Sequence, residues 1–89
     1  MLLERGVDVS HKIMIVDDEP EIVSMLKQYL SLNGYEVITA LISQEALDNL
    51  QFQPDLILLD VNMPGVSGLS LCKQILDFVP CPILFLIAA

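Results

Sequence analysis

The sequence predicts an α/β fold in which a parallel β-sheet carries helices on both faces. Short apolar runs alternate with segments of helical periodicity in the order β-α-β-α-β-α-β, which is typical of a doubly wound sheet with right-handed crossovers. The first and last runs are almost wholly apolar, as expected for strands that are covered on both sides. At 89 residues the chain has room for one small domain.

The first strand and helix occupy the segment from residue 12 to residue 34. A strand over 12–16 leads into Asp-Asp-Glu-Pro at 17–20, which predicts a helix start with an acid as cap and proline in the first turn. Asn33 and Gly34 predict the left-handed end of this helix. Its apolar face is predicted to consist of Ile22, Leu26, Tyr29 and Leu30.

A second strand and helix follow. The strand is predicted over 36–40, and Ser43 is predicted to cap a helix that runs to about Leu50. Gln53 and Pro54 then break this helix, because the residue before a proline is disfavoured in the helical conformation.

The last three elements are a strand over 55–60, a helix and a strand over 83–87. Ser67 is predicted to cap the helix, and Pro80 and Pro82 to end it. The apolar face of this helix is predicted to consist of Cys72, Ile75, Leu76 and Val79.

The composition excludes several classes of protein. With a net charge of −8 and four basic residues, the chain is not expected to bind nucleic acid. No apolar run approaches the ~20 residues of a membrane-spanning helix. Residues 1–10 lack the basic and apolar segments of a secretory signal, so we expect a cytoplasmic protein that does not bind membranes.

The remaining features have structural interpretations. We expect residues 1–11 to be an N-terminal extension and 12–89 to be the domain, with His11 exposed in the linker. Cys72 and Cys81 lie in apolar surroundings without a Cys-x-x-Cys pattern, and we expect both to be buried free thiols.

Three acidic residues follow the ends of two predicted strands. Asp17 and Asp18 end the first strand and Asp60 ends the third. If those strands are neighbours, the three carboxylates converge at the carboxyl edge of the sheet, where open α/β folds bind ligands. Carboxylates that lie so close together repel one another, and a bound cation would neutralise them. Because all the ligands are oxygen atoms, a hard divalent ion is favoured, which indicates Mg²⁺. Pro64 and Gly65 shape the loop after Asp60 so that the Asn62 carbonyl can face the same crevice.

Four short segments resemble the receiver domain of two-component response regulators. They are Ile-Val-Asp-Asp-Glu at 15–19, Glu-Ala-Leu at 45–47, Leu-Leu-Asp-Val-Asn-Met-Pro-Gly at 58–65 and Gly-Leu at 68–69, and the resemblance covers residues 12–88. It implies a flavodoxin-like sheet with the strand order 2-1-3-4. It also implies that Asp60 is the phosphoacceptor for a sensor histidine kinase or for a small donor such as acetyl phosphate. The implied Mg²⁺ ligands are Asp17, Asp18, Asp60 and the backbone carbonyl of Asn62.

The sequence departs from this family in two respects. Ile87 occupies the position at which the resemblance implies a serine or threonine hydroxyl that bonds the phosphoryl group. The sequence also ends before the helix, strand and helix that complete the family's fold, and these would carry the lysine that pairs with the phosphoryl group. We therefore expect a truncated domain with impaired phosphorylation, which self-associates through its uncovered fourth strand or sheet face.

Three functions are compatible with the sequence. The chain is a weakly phosphorylated receiver, a non-phosphorylated module that binds a kinase or another regulator, or an inert fragment. In none of these is it an enzyme, beyond a weak uptake of phosphate from small donors. A phosphatase of the haloacid type is disfavoured, because its motif requires a second aspartate where this sequence has Asn62.

Overall fold

A computed structural model of the chain describes residues 11–65 and 67–87. In order, the elements within these residues are β1 (Lys12–Val16), α1 (Pro20–Leu32), β2 (Glu36–Ala40), α2 (Ser43–Asp48), a 3₁₀ helix (Asn49–Phe52), β3 (Leu56–Asp60), α3 (Gly68–Leu76) and β4 (Ile83–Leu86). This order confirms the predicted alternation. Apart from His11, the predicted extension over 1–11 lies outside the described residues.

The four strands of the described residues form one parallel sheet in the order β2-β1-β3-β4. The flavodoxin-like order 2-1-3-4 is therefore confirmed, and the described residues add no helix or strand after β4. The chain moves outward from β1 to β2 and then returns to place β3 on the other side of β1. This reversal puts the carboxyl ends of β1 and β3 side by side at the centre of the sheet.

The larger core lies between the sheet and the helices α2 and α3. Its centre is formed by Met14, Ile57, Leu59, Leu71 and Ile75, all of which are fully buried. Burial of side chains of this size stabilises the fold by roughly 1.5–3 kcal/mol each. The core therefore holds β1, β3 and α3 in fixed relative positions.

The helix α1 covers only part of the opposite face. It packs on β1 and β2, and Val23 is its one buried residue. Of the predicted apolar face, Ile22, Leu26 and Leu30 are half-buried, and the prediction was wrong for Tyr29, which is 64% exposed.

The helix ends differ in part from the predictions. Pro20 is the first residue of α1, as predicted, and Asn33 and Gly34 end it, with Gly34 at φ 88°. The prediction that Ser43 caps α2 was wrong: Ile42 holds the cap position, and the Leu41 N–H donates to the Glu45 carboxylate at 2.8 Å instead.

The second helix is also shorter than predicted. It ends at Asp48, and the chain continues as the 3₁₀ helix until Gln53. At Gln53 the backbone adopts the left-handed conformation, with φ 56°, so the predicted break before Pro54 is confirmed.

The cap of α3 is as predicted, but its end is not. The Ser67 hydroxyl accepts a hydrogen bond from the Ser70 N–H at 3.0 Å. The helix ends at Leu76 because the Ile75 carbonyl accepts from Phe78 and Val79, which turns the chain before the prolines. Val79 therefore lies outside the helix and Leu76 is 52% exposed.

The two cysteines are free thiols, as predicted. Cys81 is buried, whereas the prediction of burial was wrong for Cys72, which is half-buried. Within the described residues no helix combines the length and the apolar character needed to cross a membrane.

Candidate metal centre

The carboxyl edge of the sheet positions the predicted acidic residues. Asp60 is the last residue of β3 and pairs with Leu86 of β4. Asp17 directly follows β1, and its N–H donates to the Ala40 carbonyl at 3.1 Å, which extends the pairing with β2 by one residue. Because β1 and β3 are adjacent in the sheet, both acids emerge at the same edge.

The carboxylates of Asp17, Asp18 and Asp60, which we call the acidic cluster, converge in the structure. One oxygen from each lies within 4.8 Å of the others. Octahedral Mg²⁺ ligands at 2.0–2.1 Å from the ion stand about 3 Å apart when adjacent and about 4 Å apart when opposite. The separations in the acidic cluster therefore fit Mg²⁺ after a small inward movement of the side chains. The oxygen-only donor set is also the one that Mg²⁺ prefers.

Asp17 is the most buried member of the acidic cluster, with 4% of its surface exposed. Burial raises its pKa above the usual 3.8, a hydrogen bond from the Glu19 N–H opposes this shift, and the charges of Asp60 and Asp18 add to it. The bond from Glu19 is 3.0 Å long and fixes the Asp17 side chain by means of a local turn. The ionised form of Asp17 is therefore less favourable than in an isolated aspartate, and a cation in the cluster would offset this cost.

The loop after β3 is shaped by its own backbone and by one core contact. The Asn62 N–H donates to an Asp60 carboxylate oxygen at 3.0 Å, which orients that carboxylate. Met63 is not only a turn residue, because its side chain is buried in the core. Gly65 has φ 83°, a conformation that favours glycine. The Asn62 carbonyl as an Mg²⁺ ligand stays a prediction.

A cavity of about 300 Å³ opens beside the acidic cluster. It is lined by the acidic and polar residues Asp17, Glu19, Asp60 and Asn62 and by the apolar residues Ile22, Leu26, Leu86 and Ile87. The sequence reasoning did not assign Glu19, Ile22 or Leu26 to the site. Glu19 directly follows Asp17 and Asp18, and Ile22 and Leu26 lie four residues apart in the first two turns of α1. This spacing was the signal that could have identified them.

Ile87 lies directly after β4 and lines this cavity with Asp60. Its side chain is 75% exposed and offers no hydrogen-bond donor. The cavity thus has acceptor groups on the side of the acidic cluster and an apolar wall on the side of β4. Lys73, a basic residue of α3, does not line it.

The sequence and fold are similar to those of known proteins. Residues 13–89 match the family described as the response regulator receiver domain. The chain is 46% identical over 68 residues to the alkaline phosphatase synthesis transcriptional regulatory protein PhoP of Bacillus subtilis, covering 75% of this chain and 28% of that protein. It spans about a third of the length of the curated relatives that it matches.

Two proteins of known structure share the fold, and one of them is represented by two complexes. One is the N-terminal domain of a response regulator receiver protein from Methanoculleus marisnigri, with a TM-score of 0.82 and 35% identity, covering 89% of this chain and 68% of that chain. The other is the response regulator TrrA. In complex with the histidine kinase ThkA it has a TM-score of 0.78 and 41% identity, covering 88% and 69% of the two chains. TrrA of Thermotoga maritima in complex with Mg²⁺ and BeF has a TM-score of 0.75 and 40% identity, covering 84% and 67%.

Proposed function

This chain belongs to the response regulator receiver family, and from that membership we propose that Asp60 accepts a phosphoryl group while the acidic cluster holds Mg²⁺. The observation that carries the proposal is the convergence of the Asp17, Asp18 and Asp60 carboxylates within 4.8 Å. A single strand-end acid is explained by local structure, whereas three that converge beside an open cavity require neutralisation. Receiver domains are signalling modules, so the proposed product is the phosphorylated chain itself.

The proposed chemistry is a displacement at phosphorus. A carboxylate oxygen of Asp60 forms a bond to the phosphorus of acetyl phosphate, the bond from phosphorus to the acyl oxygen breaks, and acetate leaves. With a phosphohistidine donor the phosphorus–nitrogen bond breaks and the imidazole leaves. Asp60 is half-buried and lines the cavity, so a donor can approach it from solvent. Bound Mg²⁺ would supply positive charge to the phosphoryl oxygens.

The proposed partner in the cell is a sensor histidine kinase. Support comes from the similarity to TrrA, which has been crystallised with the kinase ThkA. Asp60 is half-buried and lines the cavity at the carboxyl edge of the sheet, so a kinase that presents a phosphohistidine to the cavity would reach the nucleophile.

We propose further that Ile87 weakens this reaction. The resemblance places a serine or threonine at this position, where a hydroxyl would bond the phosphoryl group. A missing donor of this kind typically lowers a rate by about 10²–10³-fold.

The experiment is the intact mass of the chain after incubation with acetyl phosphate and Mg²⁺. We expect a gain of one phosphoryl group that is absent from Asp60→Asn and from wild type incubated with a chelator. A chain that gains no mass under these conditions is not a phosphoacceptor. If this chain gains no mass but retains a histidine kinase in a pull-down, the result would favour the non-phosphorylated interaction module.

We also propose that the 89-residue chain self-associates through β4. Leu84 is 56% exposed and Phe85 is 38% exposed, and no other described strand pairs with the outer edge of β4. An uncovered apolar edge strand is a template for pairing with another chain. Light scattering at tens of micromolar tests this, and a monomeric mass would refute it.

A further inference from the structure

We infer that Gly68 is a positioning residue for the acidic cluster, because only a residue without a side chain lets α3 lie against the loop that carries Asp60 and Asn62. This inference rests on the proposed function. It concerns the contact between the first residue of α3 and the end of β3.

The contact at Gly68 is between backbones. A Cβ atom at this position would lie 2.6 Å from the Val61 Cα, 2.7 Å from the Asp60 carbonyl oxygen and 3.1 Å from the Val61 carbonyl oxygen. None of these atoms belongs to a side chain that could rotate away. Any larger residue must therefore separate α3 from residues 60–61.

The same contact includes a hydrogen bond. The Gly68 N–H donates to the Val61 carbonyl at 3.0 Å, and the Val61 N–H donates to the Leu86 carbonyl at 3.3 Å. The Val61 residue is thus held from α3 on one side and from β4 on the other. Asn62 follows directly, and its N–H donates to the Asp60 carboxylate, so the orientation of that carboxylate depends on where Val61 is held.

The helix cannot easily be the part that moves. Leu71 and Ile75 anchor α3 in the core and are fully buried, whereas Asn62 is exposed and Asp60 is half-buried. A side chain at position 68 would therefore displace mainly residues 60–62. The Asp60 carboxylate would then shift relative to Asp17 and Asp18, which are attached to a different strand.

The test is the affinity of the intact chain for Mg²⁺, measured by isothermal titration calorimetry. Gly68→Ala is expected to weaken Mg²⁺ binding at least about tenfold, which is the usual effect of losing a group that orients a metal ligand. The matched control is Ile75→Ala, which destabilises α3 through its far end. Its Mg²⁺ affinity should stay within about twofold of wild type even where its urea midpoint falls as far as that of Gly68→Ala.

A second variant covers the case in which Gly68→Ala does not fold. The chain is short enough for chemical synthesis with an ester in place of the Ser67–Gly68 peptide bond, which removes the Gly68 N–H without adding bulk. We expect this variant to lose Mg²⁺ affinity by about threefold or more, the equivalent of one neutral hydrogen bond.

The outcomes separate the two proposals. A wild-type chain that binds Mg²⁺, together with Gly68 variants that bind it equally well, would overturn the positioning role alone. Equal losses in Gly68→Ala and Ile75→Ala would also overturn it, because the effect would then be general destabilisation. A wild-type chain that does not bind Mg²⁺ would overturn the proposed metal site and the positioning role together.

Discussion

Replacement of Asp17 by asparagine removes one negative charge from the acidic cluster with little change in side-chain shape. The Asp17 oxygen that accepts from the Glu19 N–H at 3.0 Å has a counterpart in the asparagine amide. The substitution therefore changes the charge of the cluster while leaving this local turn intact. We expect Asp17→Asn to stabilise the chain without Mg²⁺ and to weaken Mg²⁺ binding.

The magnitude follows from the distances in the cluster. At 4.8 Å, the upper limit of these separations, two carboxylates repel by about 1 kcal/mol in water and by about 3 kcal/mol at an effective dielectric constant of about 20. Asp18 and Asp60 are half-exposed, so the lower value is the better guide. Asp18 adjoins Asp17 in the unfolded chain too, which leaves the pair with Asp60 as the main native repulsion. We therefore expect Asp17→Asn to raise the free energy of unfolding by about 1–2 kcal/mol.

Magnesium should cancel this advantage. At a Mg²⁺ concentration about 100 times its Kd, wild type gains about 2.7 kcal/mol, whereas a variant that binds about 100-fold more weakly gains about 0.4 kcal/mol. The assay is urea unfolding followed by circular dichroism, with and without saturating Mg²⁺. The difference in the free energy of unfolding between Asp17→Asn and wild type should fall to zero or change sign when Mg²⁺ is added.

The pH dependence gives a second readout. The pKa of Asp17 is raised above 3.8 in the folded chain, so the native state holds this proton more tightly than the unfolded state. The resulting stability is present below the unfolded pKa and is lost as the pH rises through the native pKa. Without Mg²⁺, wild type should therefore lose stability relative to Asp17→Asn as the pH rises from about 3.8 toward neutrality. A variant that is less stable than wild type at neutral pH without Mg²⁺ would refute the repulsion argument.

Three further substitutions test the site and the core. Ile87→Thr supplies a hydroxyl beside the acidic cluster and should raise the phosphorylated fraction at least about tenfold by intact mass; an equal rise in Ile87→Val, which adds no hydroxyl, would contradict this reason. Ser67→Ala removes the cap of α3 and should lower the free energy of unfolding, measured in urea, by about 1 kcal/mol. Ser70→Ala keeps the backbone N–H that donates to the Ser67 hydroxyl, so the same loss in this variant would show that capping is not the cause. Leu71→Ala opens a cavity in the core and should cost about 2–5 kcal/mol; in the same urea assay the exposed Leu69→Ala should cost less than about 0.5 kcal/mol, and similar losses would refute the assigned core.

The element order was predictable because its signals are local. A continuous apolar run, a proline at a helix start and a glycine after a helix end each act within a few residues. The boundaries were less predictable where two local signals compete. Ser43 has a suitable side chain for a cap, yet Glu45 provides the hydrogen bond at the start of α2, and α3 ends at Leu76 rather than at the prolines.

The apolar faces of the helices were harder to predict than the helices themselves. Helical spacing identifies a stripe, but burial depends on what lies opposite it. Tyr29 shares a stripe with Ile22 and Leu26 and is nevertheless exposed, whereas α1 as a whole packs on β1 and β2.

By itself, the sequence determined the α/β class, the acids at two strand ends and the sharp turn at Gly65, since each depends on residues that are close along the chain. Only the tertiary structure decided that Asp17 is almost fully buried, that Met63 anchors the loop in the core and that the backbone at Gly68 touches Val61. These features depend on strand order and on the packing of α3, which bring together residues that are far apart in sequence. The distance between the Asp17 and Asp60 carboxylates is the clearest case, because it is set by the adjacency of β1 and β3.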